Sequence, residues 1–299
     1  MANKEQFEQV GGALLVRAPG KINLCLLVAG KREDGYHDIE SIMAKIDWYD
    51  EILIEPGRQA GIELICGGPE WSPEGEQNLV YKAAKLAFET SGRSADVKIT
   101  LTKNVPAGAG LGSGSSDAAA TLMGINEYCK LGLDKDELAE LAAKLGSDVA
   151  FFLDGPLALC TGRGEKVEKL NWYKFSALLV IPNISVSTQR VYANYRHDEG
   201  TYKQLHEEIS GYIEKNRIDL VCGMCANVLQ ESCFEIYTEL REHKKRNESP
   251  GVGPMCLSGS GSSMYCIVNN SNEEGVRSYR EKCNRESGLK SIIVHNNSW

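Results

Sequence analysis

The sequence predicts an α+β protein, with strands and helices mixed in two successive parts. Three observations carry this reading. The chain has 299 residues, enough for two ordinary domains. It is 42% hydrophobic and 25% charged, the balance of a globular core with a solvated surface. Runs of strand-like alternation are interleaved with runs of helical spacing rather than segregated, which points to an α+β or α/β sandwich.

Taken in order, Arg17 to Val28 reads as a strand entered through Pro19-Gly20. Strict alternation places Lys21, Asn23, Cys25 and Leu27 on one face, with Ile22, Leu24, Leu26 and Val28 on the other. Gly30 to Gly35 is a turn signalled by Asp34-Gly35. Strands follow at Ile39–Ile46 and Glu51–Glu55, and Gly67–Gln77 reads as loop. A helix is expected over Asn78–Ser91, stopped by Gly92. Val97, Ile99 and Leu101 alternate as a strand, and a second helix runs from the small residues after Ser116 through Leu122, Ile125 and Tyr128. Asp134 with Glu137 is a capping-box start for a helix that ends at Gly146. Gly155–Lys169 is turn-rich with short strands. The domain boundary is placed there, giving domains 1–165 and 166–299. Beyond it the pattern predicts a strand (Ser176–Ile181) and helices at Thr188–Tyr195, Tyr202–Glu214 and Asp219–His243. A loop (Lys244–Pro254), a strand (Met264–Val268), a helix (Glu273–Ser287) and a strand (Ser291–His295) follow. There is no internal repeat.

Lys plus Arg is 33 and Asp plus Glu is 41, a net charge of −8. Such a chain is not built for broad binding to nucleic acid or to an anionic membrane. No apolar run is long enough to span a bilayer. The first sixteen residues carry acidic groups and no signal-type apolar stretch, so a cytoplasmic protein is expected. The ten cysteines have no framework spacing, which fits a reducing compartment. Cys222-Gly-Met-Cys225 lacks a second CxxC or a His pair. With Leu229, Cys233, Ile236 and Leu240 these cysteines fall at helical spacing, as buried core.

The most informative stretch is Pro106-Ala-Gly-Ala-Gly-Leu-Gly-Ser-Gly-Ser-Ser-Asp-Ala118. It lies between a strand and a helix N-terminus. Its glycines permit positive φ and close approach of backbone to a ligand. Successive N–H groups and the helix dipole then make a cradle for phosphate. It is not a Walker A loop, because Ser115-Ser116 stand where Lys-Ser/Thr would follow Gly114. It also lacks the glycine spacing of the dinucleotide fingerprint. A flexible Gly/Ser linker is the bland alternative, and the closely bracketing strand and helix count against it.

Ala18-Pro-Gly-Lys21-Ile-Asn23-Leu24, the glycine loop and Leu257-Ser-Gly-Ser-Gly261-Ser-Ser263 occur in an order that resembles the GHMP kinase superfamily over nearly the whole chain. Asp34-Gly35-Tyr36-His37, Gly146-Ser-Asp148-Val-Ala-Phe-Phe-Leu153 and Asn227-Val-Leu229 narrow the resemblance to the branch acting on a cytidine-diphosphate-linked methylerythritol. The sequence departs from the family pattern at Gly20, Ser113 and Ala150, where alanine, glycine and proline are usual.

The resemblance implies a two-domain fold, with an N-terminal mixed α/β domain and a C-terminal ferredoxin-like domain. The active site would lie in the cleft between them. It implies ATP held by Pro106, Ala107, Gly108, Ala109, Gly110, Leu111, Gly112, Ser113, Gly114, Ser115 and Ser116, with Mg2+ whose ligands the motifs do not identify. It implies Lys21 and Asp148 as catalytic residues, and Asn23, Tyr36, His37, Thr188 and Tyr192 as substrate-binding residues. The reaction implied is transfer of the γ-phosphate to a substrate hydroxyl in non-mevalonate isoprenoid synthesis. Two other readings remain: a kinase of the same superfamily for mevalonate or a related alcohol, and a nucleotide sensor without catalysis.

Overall fold

Apolar alternation builds two antiparallel-rich sheets, and what packs between them positions everything else. A computed structural model describes residues 5–248, 252–269, 273–283, 285 and 289–299. The first sheet contains β1 (Phe7–Val10), β2 (Ala13–Lys31), β3 (His37–Pro56), β4 (Gly61–Gly67) and β5 (Asp96–Thr102) in the order β1-β2-β3-β5-β4. β6 (Leu157–Gly162) adds to β3 and carries β7 (Lys166–Lys169) beside it. The sheet therefore continues past residue 165. Only β4 and β5 run parallel, joined by the crossover helix α1 (Leu79–Ser91). The strands expected at 39–46 and 51–55 are one continuous strand, and β4 occupies part of a stretch with no strand signal.

Helices α1, α2 (Ser113–Cys129), α3 (Lys135–Leu145) and α4 (Val149–Leu153) cover one face of this sheet. Their ends follow local chemistry. Asn78 caps α1 by accepting from the Val80 N–H at 2.9 Å, and Gly92 ends it at φ 66°. Asp134 and Glu137 form the expected capping box on α3. Val16, Ile52, Ile54, Ile99 and Leu101 of the sheet meet Ala83, Ala84, Ala118, Leu122 and Ile125 of the helices, all buried.

The second sheet is β8 (Ser176–Pro182), β9 (Cys256–Leu257), β10 (Met264–Val268) and β11 (Leu289–His295), in the order β11-β8-β10-β9 and antiparallel throughout. With helices between β8 and β9 and again between β10 and β11, this is the βαββαβ arrangement of a ferredoxin-like unit. Alternation sorts β8 cleanly. Ala177, Leu179 and Ile181 pack toward Ile22, Leu24, Ile42 and Ile46 of the first sheet, whereas Leu178 and Val180 pack with Val276 of α10 (Glu273–Cys283). Residues 284 and 286–287 of the helix expected to Ser287 lie outside the described residues, as do 249–251 of the expected loop.

Two expectations are corrected. The helix expected over Asp219–His243 is three helices, α7 (Ile218–Met224), α8 (Leu229–Ile236) and α9 (Thr238–Asn247), which follow α5 (Thr188–Asn194) and α6 (Glu199–Glu214). The break at Cys225–Val228 has a tertiary cause. Leu26 of β2 exchanges backbone hydrogen bonds with Ala226 and Val228, so this segment pairs with a strand instead of continuing a helix. Cys225 leaves α7 at φ 52° and is joined to Cys256 by a disulfide, so it is not one of a row of free core thiols. Cys25, Cys66, Cys129, Cys160, Cys222 and Cys233 are free. The second correction concerns β2. Register shifts at Pro19/Lys21 and Asn23/Cys25 interrupt its pairing with β3. Cys25 and Leu27 consequently join Ile22 and Leu24 in the core between the sheets, while Leu26 and Val28 pack toward α8. A single irregularity reverses the alternation beyond it.

A buried charge cluster pins both ends of the glycine loop. Lys103 Nζ, just after β5, binds Asp50 of β3 and donates to Asp117 Oδ2 of α2 at 2.5 Å. Asp50 Oδ1 also accepts from the Asn104 and Val105 N–H groups at 2.5 and 2.8 Å. Asp117 is pushed well above the ordinary carboxylate range by burial, with Lys103 opposing and Asp50 adding to the rise. Lys103→Met leaves two carboxylates buried without their cation and is expected to cost about 3–5 kcal/mol. Chemical denaturation of the purified variant measures this, and an unchanged midpoint and slope would refute it.

Candidate active site

After β5 the chain turns through 103–112 and enters α2. Gly108, Gly110 and Gly112 have φ of 69°, 77° and 65°. At two of them the requirement for glycine is also steric. A Cβ on Gly110 would lie 2.1 Å from the Ser258 carbonyl oxygen, and one on Gly112 would lie 2.9 Å from Lys21 Cγ and 3.0 Å from Phe152 Cζ. Gly112 is the N-cap of α2, so no side chain takes up that helix's first N–H groups. Ser113 Oγ donates to the Pro106 carbonyl at 3.3 Å and closes the loop on itself. Ala107 and Gly108 are exposed, whereas Ala109, Leu111, Ser113 and Ser116 are buried.

The three motifs noted in the sequence are joined here by hydrogen bonds. The Lys21 N–H donates to the Leu111 carbonyl at 2.9 Å. Ser258 Oγ donates to the Gly110 carbonyl at 2.8 Å, and the Ser263 N–H donates to Ala109 O at 3.0 Å. Asn227 Nδ2 holds the Leu257 and Gly259 carbonyls, each at 2.8 Å. The turn between β9 and β10 is thereby fastened to the glycine loop and to the break between α7 and α8.

Lys21 and Asn23 stand on β2 between the first two of its three register shifts. Lys21 is 3% exposed, yet its ammonium is compensated. Nζ donates to Asn23 Oδ1 and lies 3.6 Å from Asp148 Oδ2. Burial lowers the Lys21 pKa, and the charge of Asp148 opposes that fall. Asn23 is itself oriented, its Nδ2 donating to Ser41 Oγ at 2.8 Å while Ser41 Oγ donates to the Cys25 carbonyl. Asp148 occupies the N-cap position of α4 but its side chain caps nothing. Its carboxylate, 29% exposed, is left facing Lys21 and the cleft.

The remaining expected residues form a second group. The His37 and Tyr192 rings lie 5.2 Å apart, tilted by 34°. Burial raises the Tyr192 phenol, with a further rise from the charge of Asp148, which relates this ring to the Lys21–Asp148 pair. Tyr192 also packs partly on the apolar cluster of Val186, Val191 and Leu229. Thr188 Oγ1 and Ser260 Oγ are hydrogen-bonded at 2.8 Å. Tyr36 is apart from the His37–Tyr192 pair. Its ring is 54% exposed, with the Arg163 guanidinium 5.2 Å from its centroid.

A family model for the GHMP kinases N terminal domain matches residues 78–156, the segment that holds α1, β5, the loop, α2, α3 and Asp148. Over 263 residues the chain is 40% identical to a 4-diphosphocytidyl-2-C-methyl-D-erythritol kinase of Geobacillus sp., covering 85% of this chain and 88% of that protein. It is 39% identical over 260 residues to the enzyme of the same name from Bacillus cytotoxicus, with the same coverage. The chain belongs to the 4-diphosphocytidyl-2-C-methyl-D-erythritol kinase family, within the GHMP kinases. A crystal structure of 4-(cytidine 5'-diphospho)-2C-methyl-D-erythritol kinase matches with a TM-score of 0.74 and 30% identity, covering 95% of this chain and all of that one. A Methanococcus jannaschii mevalonate kinase shares the fold alone, at TM-score 0.68 and 15% identity over 96% of this chain and 99% of that one. The two-sheet architecture is the two-domain GHMP kinase fold, and the chain is a kinase that uses ATP.

Features of this GHMP kinase site beyond the sequence reading are Arg163, Ser41, Asn227 and a cavity of about 470 Å³. The cavity is lined by Pro106–Ala109, Trp71, Asn183, Ser185, Ser262 and Lys290. Asn227 carried a motif signal but no assigned role. Among the described residues no three His, Cys, Asp or Glu side chains form a metal-binding group, and no helix is long and apolar enough to cross a membrane.

Gly110→Ala places a methyl group against the Ser258 carbonyl in a strained backbone conformation. It is expected to lower stability by about 2 kcal/mol or more and to weaken ATP binding at least as much as it slows turnover. Thermal unfolding with and without ATP checks this, and a wild-type Tm with wild-type ATP affinity would count against the close approach.

Proposed function

We propose that this protein phosphorylates a hydroxyl of 4-diphosphocytidyl-2-C-methyl-D-erythritol, giving the 2-phosphate and ADP. The observation that carries the mechanism is the Lys21–Asp148 pair at the closed end of the glycine loop. In this reading the N-terminal part supplies the loop, Lys21 and Asp148. The part beyond the first sheet supplies Thr188, Tyr192 and the 257–263 turn, and the substrates meet between them.

The uncapped N–H groups of the loop and of α2 hold the phosphates of ATP. The substrate oxygen attacks the γ-phosphorus, the bond from that phosphorus to its bridging oxygen breaks, and ADP leaves with the electron pair. Lys21 stands beside the transferring group, where burial lowers its pKa and the charge of Asp148 opposes that fall. Asp148 orients the attacking hydroxyl and accepts its proton as the new bond forms; a loose transition state asks only for a weak base. ATP brings Mg2+, which neutralises phosphate charge when bound. The donor set suits an ion held mainly by phosphate oxygens and water, with one protein contribution from Ser116 Oγ, which is buried and has no partner among the described residues.

The cytosine is assigned to Tyr36, His37 and Tyr192, with Asn23 and Thr188 directed to the polar part of the substrate. Burial lowers the His37 pKa, with smaller contributions from Lys31 and His197. The imidazole is therefore neutral at pH 7 and offers one donor and one acceptor to the base edge.

The purified protein is expected to transfer phosphate from ATP to the cytidine-diphosphate-linked methylerythritol and not to mevalonate; preference for mevalonate would overturn the assignment. Asp148→Asn is expected to lower kcat by about 100-fold or more with little change in ATP affinity, and near-normal kcat would remove Asp148 from the reaction. A second expectation concerns pH. Acidification through a pKa below about 6.5 protonates His37 and removes its acceptor, so kcat/KM for the substrate falls there. His37→Gln should lose that limb of the profile, and its persistence would reject the role of His37.

A further inference from the structure

Resting on the substrate assignment above, we propose that Arg163 is the cation that binds the diphosphate of the cytidine-linked substrate. The substrate must span two groups of residues. Its base lies with Tyr36 and His37, and its reacting hydroxyl lies with Lys21 and Asp148. The dianionic link has to cross between them, and Arg163 sits on the loop that touches both. Its guanidinium carbon is 5.2 Å from the centre of the Tyr36 ring. The next residue, Gly164, is so close to the catalytic aspartate that a Cβ there would lie 3.4 Å from Asp148 Oδ1 and 3.3 Å from the Ser147 carbonyl.

The loop is shaped to hold this position and to leave the charge available. Gly162 and Gly164 have φ of 71° and 122°, so the turn between β6 and β7 reverses tightly on either side of Arg163. Glu165, the nearest acid in sequence, folds back so that Oε2 accepts from the Arg163 backbone N–H at 2.6 Å. Its carboxylate is thus engaged by the main chain. Among the described residues Arg163 makes no ion pair, although its charge reaches Asp34 and helps lower that carboxyl, after the Tyr36 N–H and Arg32.

Two of the neighbouring cations are committed elsewhere. Arg32 binds Asp34 and Asp38, at 3.1 and 2.8 Å. Lys21 is taken by Asn23 and Asp148. A half-buried guanidinium with a planar fork is the side chain best matched to phosphate oxygens. Its place on the Tyr36 ring sets it beside the base whose phosphate it would hold.

The test separates charge from packing. Binding of cytidine and of cytidine diphosphate is measured by calorimetry for the wild-type protein, Arg163→Met and Arg163→Lys. Cytidine diphosphate should bind the wild type about tenfold or more tightly than cytidine, and Arg163→Met should lose about that factor for the diphosphate while holding cytidine unchanged. Arg163→Lys should retain part of the preference, and KM for ATP should be unchanged in both variants. A wild-type protein with no preference for the diphosphate, or an Arg163→Met protein that keeps it, would overturn the proposal. Equal weakening of both ligands would also overturn it, by assigning Arg163 to support of the Tyr36 ring. Substrate turnover by the wild type is assayed separately; its absence would refute the proposed function, and the ligand preference would still report on Arg163.

Discussion

An ammonium group removed from water loses hydration worth several kcal/mol and must recover it from the protein. Lys21 is such a group, and the arrangement of the site follows from holding it. Asn23 accepts from Nζ, Asp148 supplies the opposite charge, and Ser41 fixes the Asn23 amide so that its oxygen faces the lysine. The space is equally constrained. Gly112 carries no side chain because the Lys21 stem and the Phe152 ring fill that volume, and Gly259 approaches to where a Cβ would be 3.5 Å from Nζ. One buried cation thus dictates a residue type in the glycine loop and the position of the carboxylate that opens α4.

The same demand explains why two sheets make one site. The loop that cradles phosphate belongs to the first sheet, but its Ala109 and Gly110 carbonyls are taken by Ser263 and Ser258 of the second. Had they faced solvent, the loop would be an ordinary mobile connection. Instead these carbonyls hold the loop against the second sheet. On the far side, the cluster of Asp50, Lys103 and Asp117 secures the entry and exit of the loop. Preorganised donors of this kind stabilise developing charge without rearranging during the reaction.

What was legible in the sequence is what local chemistry decides. The glycine loop, the Gly92 stop, the Asp134 capping box and the Asp34-Gly35 turn all depend on neighbours in the chain, and the structure has them where the pattern put them. The motifs around Lys21, Asp148 and Ser258 were legible as motifs; that their atoms meet is a product of the fold. The failures have tertiary causes. A register shift against β3 turned Cys25 and Leu27 toward the opposite core, and composition holds no sign of such a shift. Backbone pairing of Leu26 with Ala226 and Val228 broke a helix whose periodicity was sound. Arg163 stood in a turn-rich stretch, and only the juxtaposition of that turn with Tyr36 and Asp148 distinguishes it from a solvated charge.

In the proposed mechanism the phosphate-facing lysine comes from β2, and not from the loop itself as in a Walker loop. A loop lysine travels with the phosphates it binds, whereas Lys21 is fixed in a sheet by its pairing with Lys45 of β3 and by packing around its stem. Its charge is therefore referenced to the scaffold that also carries Asp148. The two groups are 3.6 Å apart. Asp148 has two tasks in the proposed mechanism: its charge opposes the fall that burial imposes on the Lys21 pKa, and its oxygens, not consumed by helix capping, face the attacking hydroxyl.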